Sequence, residues 1–251
     1  MRIQLPTSVA AITLLALTSG LASQASARTT SSDAAQNPSQ AIADPYAPKV
    51  SFNAAAGSDY IFRGVSQTQE DPAISGGVDV SAGSFHAGAW ASNVDFGDGD
   101  TDAEIDVYGG FRPEVSGFNL DLGVIGYLYT SQPDGADYDY VEFKAAASRA
   151  VGPATLGAAV YYSPDFFGAT EDEATYVEAN AAISPADKWT ISGAVGHQLV
   201  SSDFDYTTWN VGAAYQLTSN LAVDVRYHDT DEHDFGEVYG SRAVASLKAT
   251  F

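Results

Sequence analysis

Histidine is the side chain best suited to acid–base chemistry near neutral pH, and the sequence contains four: His86, His197, His228 and His233. A hydrolytic Ser-His-acid site needs its three members to converge in space, and the sequence has no G-x-S-x-G serine motif. His228 lies two residues after Arg226 and directly before Asp229. We interpret the histidines as polar groups that line or rim the fold. A hydrolase remains an alternative, and it requires a Ser or Asp to converge with His228.

Acidic residues form two short runs. Asp98, Asp100, Asp102 and Glu104 alternate with other residues, as the early ligands of a calcium loop do. The spacing fails at Gly109, because an EF-hand needs a bidentate Glu there. Residues 229–234 are the second run, and we interpret both runs as solvated loops. The chain has no Cys, which excludes thiolate sites, disulfides and a lipoprotein anchor. We predict no cofactor and no metal site.

The charge balance restricts the partners. The chain carries 11 Lys+Arg against 32 Asp+Glu, a formal net charge of −21. Nucleic acid is a polyanion and is repelled by such a surface, so we do not expect it as a partner.

The N-terminal region is typical of an exported protein. Arg2 precedes the short apolar stretch at residues 9–17, and Ala25-Ser26-Ala27 fits a signal-peptidase site. We predict a signal peptide at 1–27 and a flexible periplasmic leader, rich in Ser, Ala, Gln and Pro, at 28–47. No later segment has the run of about 20 apolar residues that a membrane helix needs.

Period-two alternation starts near Lys49 and continues to the end of the chain, which favours one β-domain over residues 48–251. We predict twelve strands, at 49–63, 73–82, 84–95, 102–113, 118–130, 138–150, 154–163, 174–184, 187–199, 206–217, 220–229 and 239–251. Tight turns alternate with longer, mostly acidic connections. This is the pattern of an up-and-down antiparallel β-barrel in the outer membrane, with short periplasmic turns and longer external loops. An even number of strands leaves both termini in the periplasm.

Each strand has one apolar and one polar face, and a soluble barrel would show the same alternation turned inside out. Aromatic residues favour the membrane interpretation, because on the apolar face they gather at strand ends, as in the girdles at lipid headgroups. We place one girdle at Phe52, Phe85, Phe111, Phe118, Trp189, Tyr215 and Phe251. We place the other at Tyr60, Phe62, Trp209, Tyr227 and Tyr239. Outer-membrane lipid is therefore an expected partner.

The polar faces predict a charged lumen. By parity, the inward set is Asp59, Arg63, Asp79, Glu104, Asp106, Arg112, Asp121, Glu142, Lys144, Glu178, Asp224, Arg226, Arg242 and Lys248. Charges enclosed in a narrow barrel must be paired or hydrated. Eight strands leave room for side chains only and sixteen leave an aqueous pore, so twelve permit either an open or a filled lumen.

The last strand carries a further signal. Small and apolar residues alternate with polar ones up to an aromatic C terminus at Phe251. This resembles the sorting signal of outer-membrane barrels, which implies recognition by the barrel-assembly machinery.

Four stretches of the sequence resemble the TorF-like porin family of proteobacteria. They are residues 57–68 (GSDYIFRGVSQT), 90–96 (WASNVDF), 104–114 (EIDVYGGFRPE) and 162–168 (YSPDFFG). The resemblance spans residues 50–251. It implies an outer-membrane barrel with a channel role, and it carries no substrate or catalytic residue.

The predicted function is passive diffusion of small hydrophilic solutes through a narrow lumen. The acidic loops should concentrate cations at the external mouth and give a cation preference. Arg63, Arg112 and Arg226 instead predict mixed selectivity if they form a basic ladder that faces acidic residues. Two alternatives remain, a barrel hydrolase and a closed structural or adhesive barrel. A lumen filled by side chains would indicate the closed barrel.

Overall fold

The computed structural model describes residues 46–168, 173–200 and 203–251. The predicted signal peptide and nearly all of the predicted leader lie outside these residues. Twelve long strands follow one another: β1 Lys49–Gly57, β2 Ala73–Ala82, β3 Phe85–Asn93, β4 Ala103–Phe111, β5 Phe118–Thr130, β6 Tyr140–Val151, β7 Ala154–Ser163, β8 Ala174–Ala186, β9 Trp189–Leu199, β10 Tyr206–Gln216, β11 Leu221–Thr230 and β12 Arg242–Thr250.

Each long strand pairs antiparallel with its sequence neighbours, and β1 closes the sheet on β12. The closing register runs from Asn53 opposite Thr250 to Gly57 opposite Ser246. Closure leaves no free sheet edge. A free edge would leave backbone N–H and C=O groups without hydrogen-bond partners in lipid. The predicted all-β, up-and-down antiparallel barrel of twelve strands is confirmed. Among the described residues, no helix is long and apolar enough to cross a membrane.

The two ends of the barrel differ. At one end, where β1 begins and β12 ends, the strands are joined by short connections, and we call it the terminal end. At the other, the loop end, the connections are longer: residues 58–72, 94–102, 131–139, 164–173, 200–205 and 231–241. The last of these contains two single-turn 3-10 helices, His233–Phe235 and Glu237–Tyr239, so β12 starts three residues later than predicted.

The aliphatic faces point outward. Val107 and Val225 keep 47% and 55% of their surface exposed, whereas Glu104 and Asp106 keep 0% and 2%. A soluble barrel would bury its aliphatic residues and expose its charges, so the wall has the polarity of a membrane barrel.

One predicted girdle is partly wrong. Phe85, Phe111 and Trp189 are exposed near the terminal end, and Trp209 and Tyr227 are exposed near the loop end. Tyr60, Phe62 and Tyr239 do not join them, because Phe62 and Tyr239 are buried and Tyr60 is half-buried inside the barrel. Tyr60 and Phe62 lie inside the barrel because β1 ends at Gly57, not at residue 63 as predicted, and the chain then turns into the lumen.

The inserted segment, residues 58–68, is called the lumen hairpin. Its two short strands, Ile61–Phe62 and Val65–Ser66, pair antiparallel. The turn between them is Arg63-Gly64, with φ of +43° and +87°. Positive φ at both central residues is the type I′ geometry that suits a tight hairpin.

The hairpin tip rests against the barrel wall. A Cβ on Gly64 would lie 2.2 Å from Thr208 Oγ1 on β10 and 2.7 Å from Thr230 Cγ2 on β11. Both the backbone conformation and the available space at this position therefore require glycine. The base of the hairpin is held by the next loop, where Asp95 N donates to Gln67 O at 2.7 Å.

We predict that Val225→Arg, at mid-strand on the outer face, lowers the free energy of unfolding by about 2–4 kcal/mol, because it places a charge at the lipid midplane. Val50→Arg is the matched control. Val50 is equally exposed at 55% but lies near the terminal end, and the same charge there should cost about 0–1 kcal/mol. Urea unfolding of the barrel in lipid vesicles measures both. Equal effects of the two substitutions would contradict the assignment of this face to lipid.

Candidate functional site

The site is the barrel interior where the lumen hairpin meets the wall. Arg63 Nη2 donates to both carboxylate oxygens of Glu142 on β6, at 2.9 and 2.8 Å. Arg63 Nη1 donates to Gln198 Oε1 on β9 at 2.8 Å. The side chains of this ion pair are 0% and 2% exposed, so water does not screen it.

Aromatic rings complete the surroundings of the guanidinium. Its carbon lies 4.3 Å from the centroid of Tyr176 on β8, 4.5 Å from Phe62 and 5.2 Å from Tyr161 on β7. These distances permit cation–π attraction, which is strongest where water is excluded. Tyr127 Oη on β5 donates a further bond to Glu142 Oε2 at 3.1 Å.

An acidic pair lies on the neighbouring wall. Glu104 and Asp106, two residues apart on β4, are both buried. Tyr60 Oη of the hairpin donates to Glu104 Oε1 at 3.2 Å. Burial, and then the negative charges of Glu104 and Asp106, raise the pKa of Tyr60, so the phenol remains a neutral donor. With Glu142, three wall carboxyl groups lie at the level of the hairpin.

Asp59 fixes the start of the hairpin. Its Oδ1 accepts hydrogen bonds from Ser66 Oγ at 2.7 Å and Thr68 Oγ1 at 2.9 Å. Its Oδ2 accepts one from Arg242 Nη1 on β12 at 3.3 Å. Since Arg63 binds the opposite wall, the hairpin spans the lumen from β12 to β6 and β9.

Apolar and aromatic side chains fill the remaining space at the loop end. Phe62 belongs to a buried cluster with Tyr127, Tyr129, Tyr138, Tyr140, Phe166, Val94 and Ala174. Val65, on the other side of the hairpin, packs against Tyr206 and Tyr239. Within the described residues, side chains therefore fill the lumen at the level of the hairpin.

A cavity of about 30 Å³ lies below, towards the terminal end, and His86, Arg112, Asp121, Lys144 and Tyr161 contribute to its lining. Asp121 contacts three basic side chains. His86 Nε2 lies 3.1 Å from its Oδ1, while Arg112 Nε and Lys144 Nζ donate to its Oδ2 at 3.1 and 2.8 Å. Tyr161 connects the cavity to the hairpin level, because its ring faces both Arg63 and, at 5.9 Å, Lys144 Nζ.

The opposite wall carries a second polar group of residues around Arg226. Its guanidinium binds Asp224 at 3.2 Å, Asn210 Oδ1 at 2.7 Å and Ser192 Oγ at 2.8 Å. Gly212 faces Arg226 in the register, and a Cβ there would lie 2.9 Å from Arg226 Cβ and Cζ. The absence of a side chain at Gly212 leaves the space that the Arg226 side chain occupies against the wall.

Of the remaining predicted residues, Asp79 accepts a bond from Tyr108 Oη at 2.7 Å. Glu178 accepts bonds from Asn180 Nδ2 at 2.9 Å and from Tyr176 Oη at 3.3 Å, so it lies beside the Arg63 site. Lys248 is half-buried on β12. All fourteen residues of the predicted inward set are buried or half-buried. Ion pairs join Arg63 with Glu142, Asp59 with Arg242, Asp121 with Arg112 and Lys144, and Asp224 with Arg226.

Sequence reasoning missed Gln198, Tyr127, Tyr161 and Tyr176, which surround the Arg63–Glu142 pair. Parity was a usable signal, because Tyr127 alternates in phase with Asp121 and Tyr176 in phase with Glu178. The predicted inward set contained charged residues alone, so it did not include these rings.

The described residues give no support to hydrolase chemistry at His228. Within them His228 makes no hydrogen bond, while His86, His197 and His233 contact Asp121, Thr207 and Asp229 respectively. Nor does the described part of the chain bring together three His, Asp or Glu side chains that could hold a metal ion. The arrangement is suited to binding charged or polar groups.

We predict that Glu142→Gln exposes the Arg63–Gly64 bond to trypsin. Removing one partner of a buried ion pair costs about 3–5 kcal/mol, and the hairpin avoids this cost by leaving the lumen. The initial rate of cleavage, followed by mass spectrometry of the folded barrel, should rise more than tenfold. Asp79→Asn removes a lumen carboxylate whose partner is Tyr108 on β4, away from the hairpin, and should leave the rate unchanged. Equal resistance of E142Q and wild type would show that the pair does not hold the hairpin.

Comparison with solved structures shows the same fold in outer-membrane channels. The KdgM porin matches with a TM-score of 0.57 at 9% identity, covering 80% of this chain and 99% of that one. The NanC porin matches with 0.54 at 11% identity, covering 81% and 99%. The COG4313 outer membrane channel from Pseudomonas putida F1 matches with 0.50 at 10% identity, covering 86% and 99%. At these identities the likeness concerns the fold.

No curated protein sequence matches the chain. The TorF-like name therefore stays a resemblance, whereas a family model matches residues 40–251. The chain belongs to the Gcw_chp family, bacterial proteins of unknown function.

Proposed function

We propose that the protein is an outer-membrane channel for small hydrophilic solutes, with a cation preference, whose constriction is the lumen hairpin. The observation that carries the proposal is a charged interior, enclosed by a lipid-facing wall and occupied by a segment of the chain itself. The porin and channel names of proteins with the same fold agree with it. The terminal end then faces the periplasm, and recognition of Phe251 by the barrel-assembly machinery stays a prediction. A tag at the C terminus, accessible to protease only after permeabilisation of the cells, tests the orientation.

The chemistry of the hairpin favours a removable constriction over a permanently closed structural barrel. Besides the apolar contacts of Phe62 and Val65, it makes polar contacts with the wall, and several of these are incomplete. Within the described residues, Arg63 Nε, Gln67 Oε1 and Gln198 Nε2 are buried without hydrogen-bond partners. Each such atom costs free energy in the closed state that it would recover in water. A permanent core would be expected to be apolar or fully hydrogen-bonded.

The charge distribution favours cations. At the hairpin level, Asp59, Glu104, Asp106 and Glu142 face Arg63 and Arg242. When the hairpin leaves the lumen, Arg63 leaves with it, and the wall carboxyl groups remain. A narrow passage lined by negative charge in low-dielectric walls concentrates cations.

We predict that Gly64→Ala raises the conductance of the purified protein in a planar bilayer. The new methyl group has no space between Thr208 and Thr230, so the hairpin cannot seat. Gly135→Ala is the matched control, because Gly135 has a similar φ of +81° at the loop end but no atom within 4 Å of its Cβ position. We expect low or intermittent conductance for wild type and G135A and a several-fold larger value for G64A. If G64A forms a folded barrel that conducts no ions, the channel proposal fails.

We also predict that the reversal potential of G64A in a KCl gradient has the sign of a cation-preferring pore. Adding Glu104→Gln and Asp106→Asn should shift it towards zero, because these substitutions remove two carboxyl groups from the constriction. Adding Asp100→Asn, which neutralises a carboxylate in an exposed loop, should change it much less. Anion preference of G64A would refute the proposed selectivity.

A further inference from the structure

We propose that the barrel wall carries a binding site for the guanidinium or alkylammonium group of a solute, formed by Glu142, Gln198, Tyr161 and Tyr176. Arg63 of the lumen hairpin occupies this site as an internal stand-in for that solute. The proposal deepens the proposed channel function by naming a solute class, and rests on that function for the step in which the bound solute passes through.

The first argument is that the wall supplies the complete recognition chemistry. A carboxylate that meets two N–H···O contacts, an amide oxygen and the faces of two tyrosines are what binds a planar cation in proteins. These groups come from β6, β7, β8 and β9, whereas the bound cation comes from outside the wall. Glu142 is also held in place by Tyr127 Oη, which keeps the carboxylate oriented independently of Arg63.

The second argument is that Arg63 fits the site imperfectly. Its Nε has no hydrogen-bond partner within the described residues, and neither has Gln198 Nε2 beside it. Its backbone has a φ of +43°, which L-residues other than Asn and Asp seldom adopt. A free cation carries no such backbone restriction, so it can compete with the tethered side chain for the same groups.

The third argument is the position of the site along the lumen. Tyr127 and Tyr161, which contact the Arg63–Glu142 pair, are also part of the lining of the cavity below. The ring of Tyr161 faces Arg63 on one side and Lys144 on the other. The site thus lies at the boundary between the hairpin and the cavity, so a solute that replaced Arg63 would lie next to the cavity on the side of the terminal end.

The test uses the full-length barrel refolded in detergent, with ethylguanidinium as the probe and neutral ethylurea as its isostere. In Arg63→Ala the wall site loses its internal cation, and calorimetry should show ethylguanidinium binding at least ten times more tightly than to wild type. Ethylurea should not bind. In the double variant R63A/E142Q, binding should fall at least tenfold. R63A/D79N should bind as R63A does, because Asp79 is a lumen carboxylate on β2 whose partner is Tyr108, outside the site.

Heat-modifiable migration on a gel checks that each variant is folded, and Arg63→Ser replaces R63A if the latter does not fold. Folded R63A or R63S that fails to bind ethylguanidinium, or binds it equally well without Glu142, overturns the proposal. Bilayer conductance of the same samples separates the two claims. Binding without conductance would leave the cation site standing and refute the channel, whereas conductance without binding would do the reverse.

Discussion

The buried ion pair between Arg63 and Glu142 is the interaction on which the interior of this barrel depends. Enclosing both charges away from water costs several kcal/mol per ion, and this cost is offset only when the geometry is good and the remaining donors and acceptors are occupied. Two contacts to the carboxylate, the Gln198 amide and the ring of Tyr176 provide part of that compensation, whereas Arg63 Nε has no hydrogen-bond partner within the described residues. The conformation of the hairpin turn places this guanidinium next to Glu142. Its two positive φ angles and the bare Cα of Gly64 let the tip approach β10 and β11 while the Arg63 side chain reaches across to β6.

The architecture of the wall followed from local sequence because its cause is local. In a membrane barrel each strand meets lipid on one face and the lumen on the other, so every strand carries its own period-two pattern. Ile105 and Val107 against Glu104 and Asp106 are enough to assign both faces of β4. The same reasoning failed for residues 58–63. Tyr60 and Phe62 continue the alternation of β1, and a short hairpin strand inside the lumen has the same period as a strand in the wall. The two kinds of strand differ only in whether the chain continues in the wall or turns into the lumen, and the period of the sequence pattern is the same in both.

The candidate site was predictable in composition but not in partnership. Parity assigned Arg63 and Glu142 to the interior, yet they are 79 positions apart in the chain, on a loop and on β6. Which acid meets which base depends on strand tilt and on the level at which each residue sits along the barrel, and neither is a property of a single strand. Asp121 shows the same limit. It gathers His86, Arg112 and Lys144 from β3, the connection after β4, and β6, so its surroundings exist only once three non-adjacent parts of the chain are aligned.

The size of the inward side chains explains why the lumen has room for a hairpin. Twelve strands permit either an open or a filled lumen, and some inward positions here are small, as at Gly212 opposite Arg226. Filling that space permanently would call for apolar side chains or a fully hydrogen-bonded plug. The lumen hairpin is neither: it presents Phe62 and Val65 to apolar rings but Arg63, Tyr60 and Gln67 to polar groups, some of them incompletely satisfied. A segment with that composition is compatible with water outside the barrel as well as with the lumen. In the proposed channel, charged contacts contribute to the difference in free energy between the inserted and the released hairpin, and a soluble cation can make the same contacts.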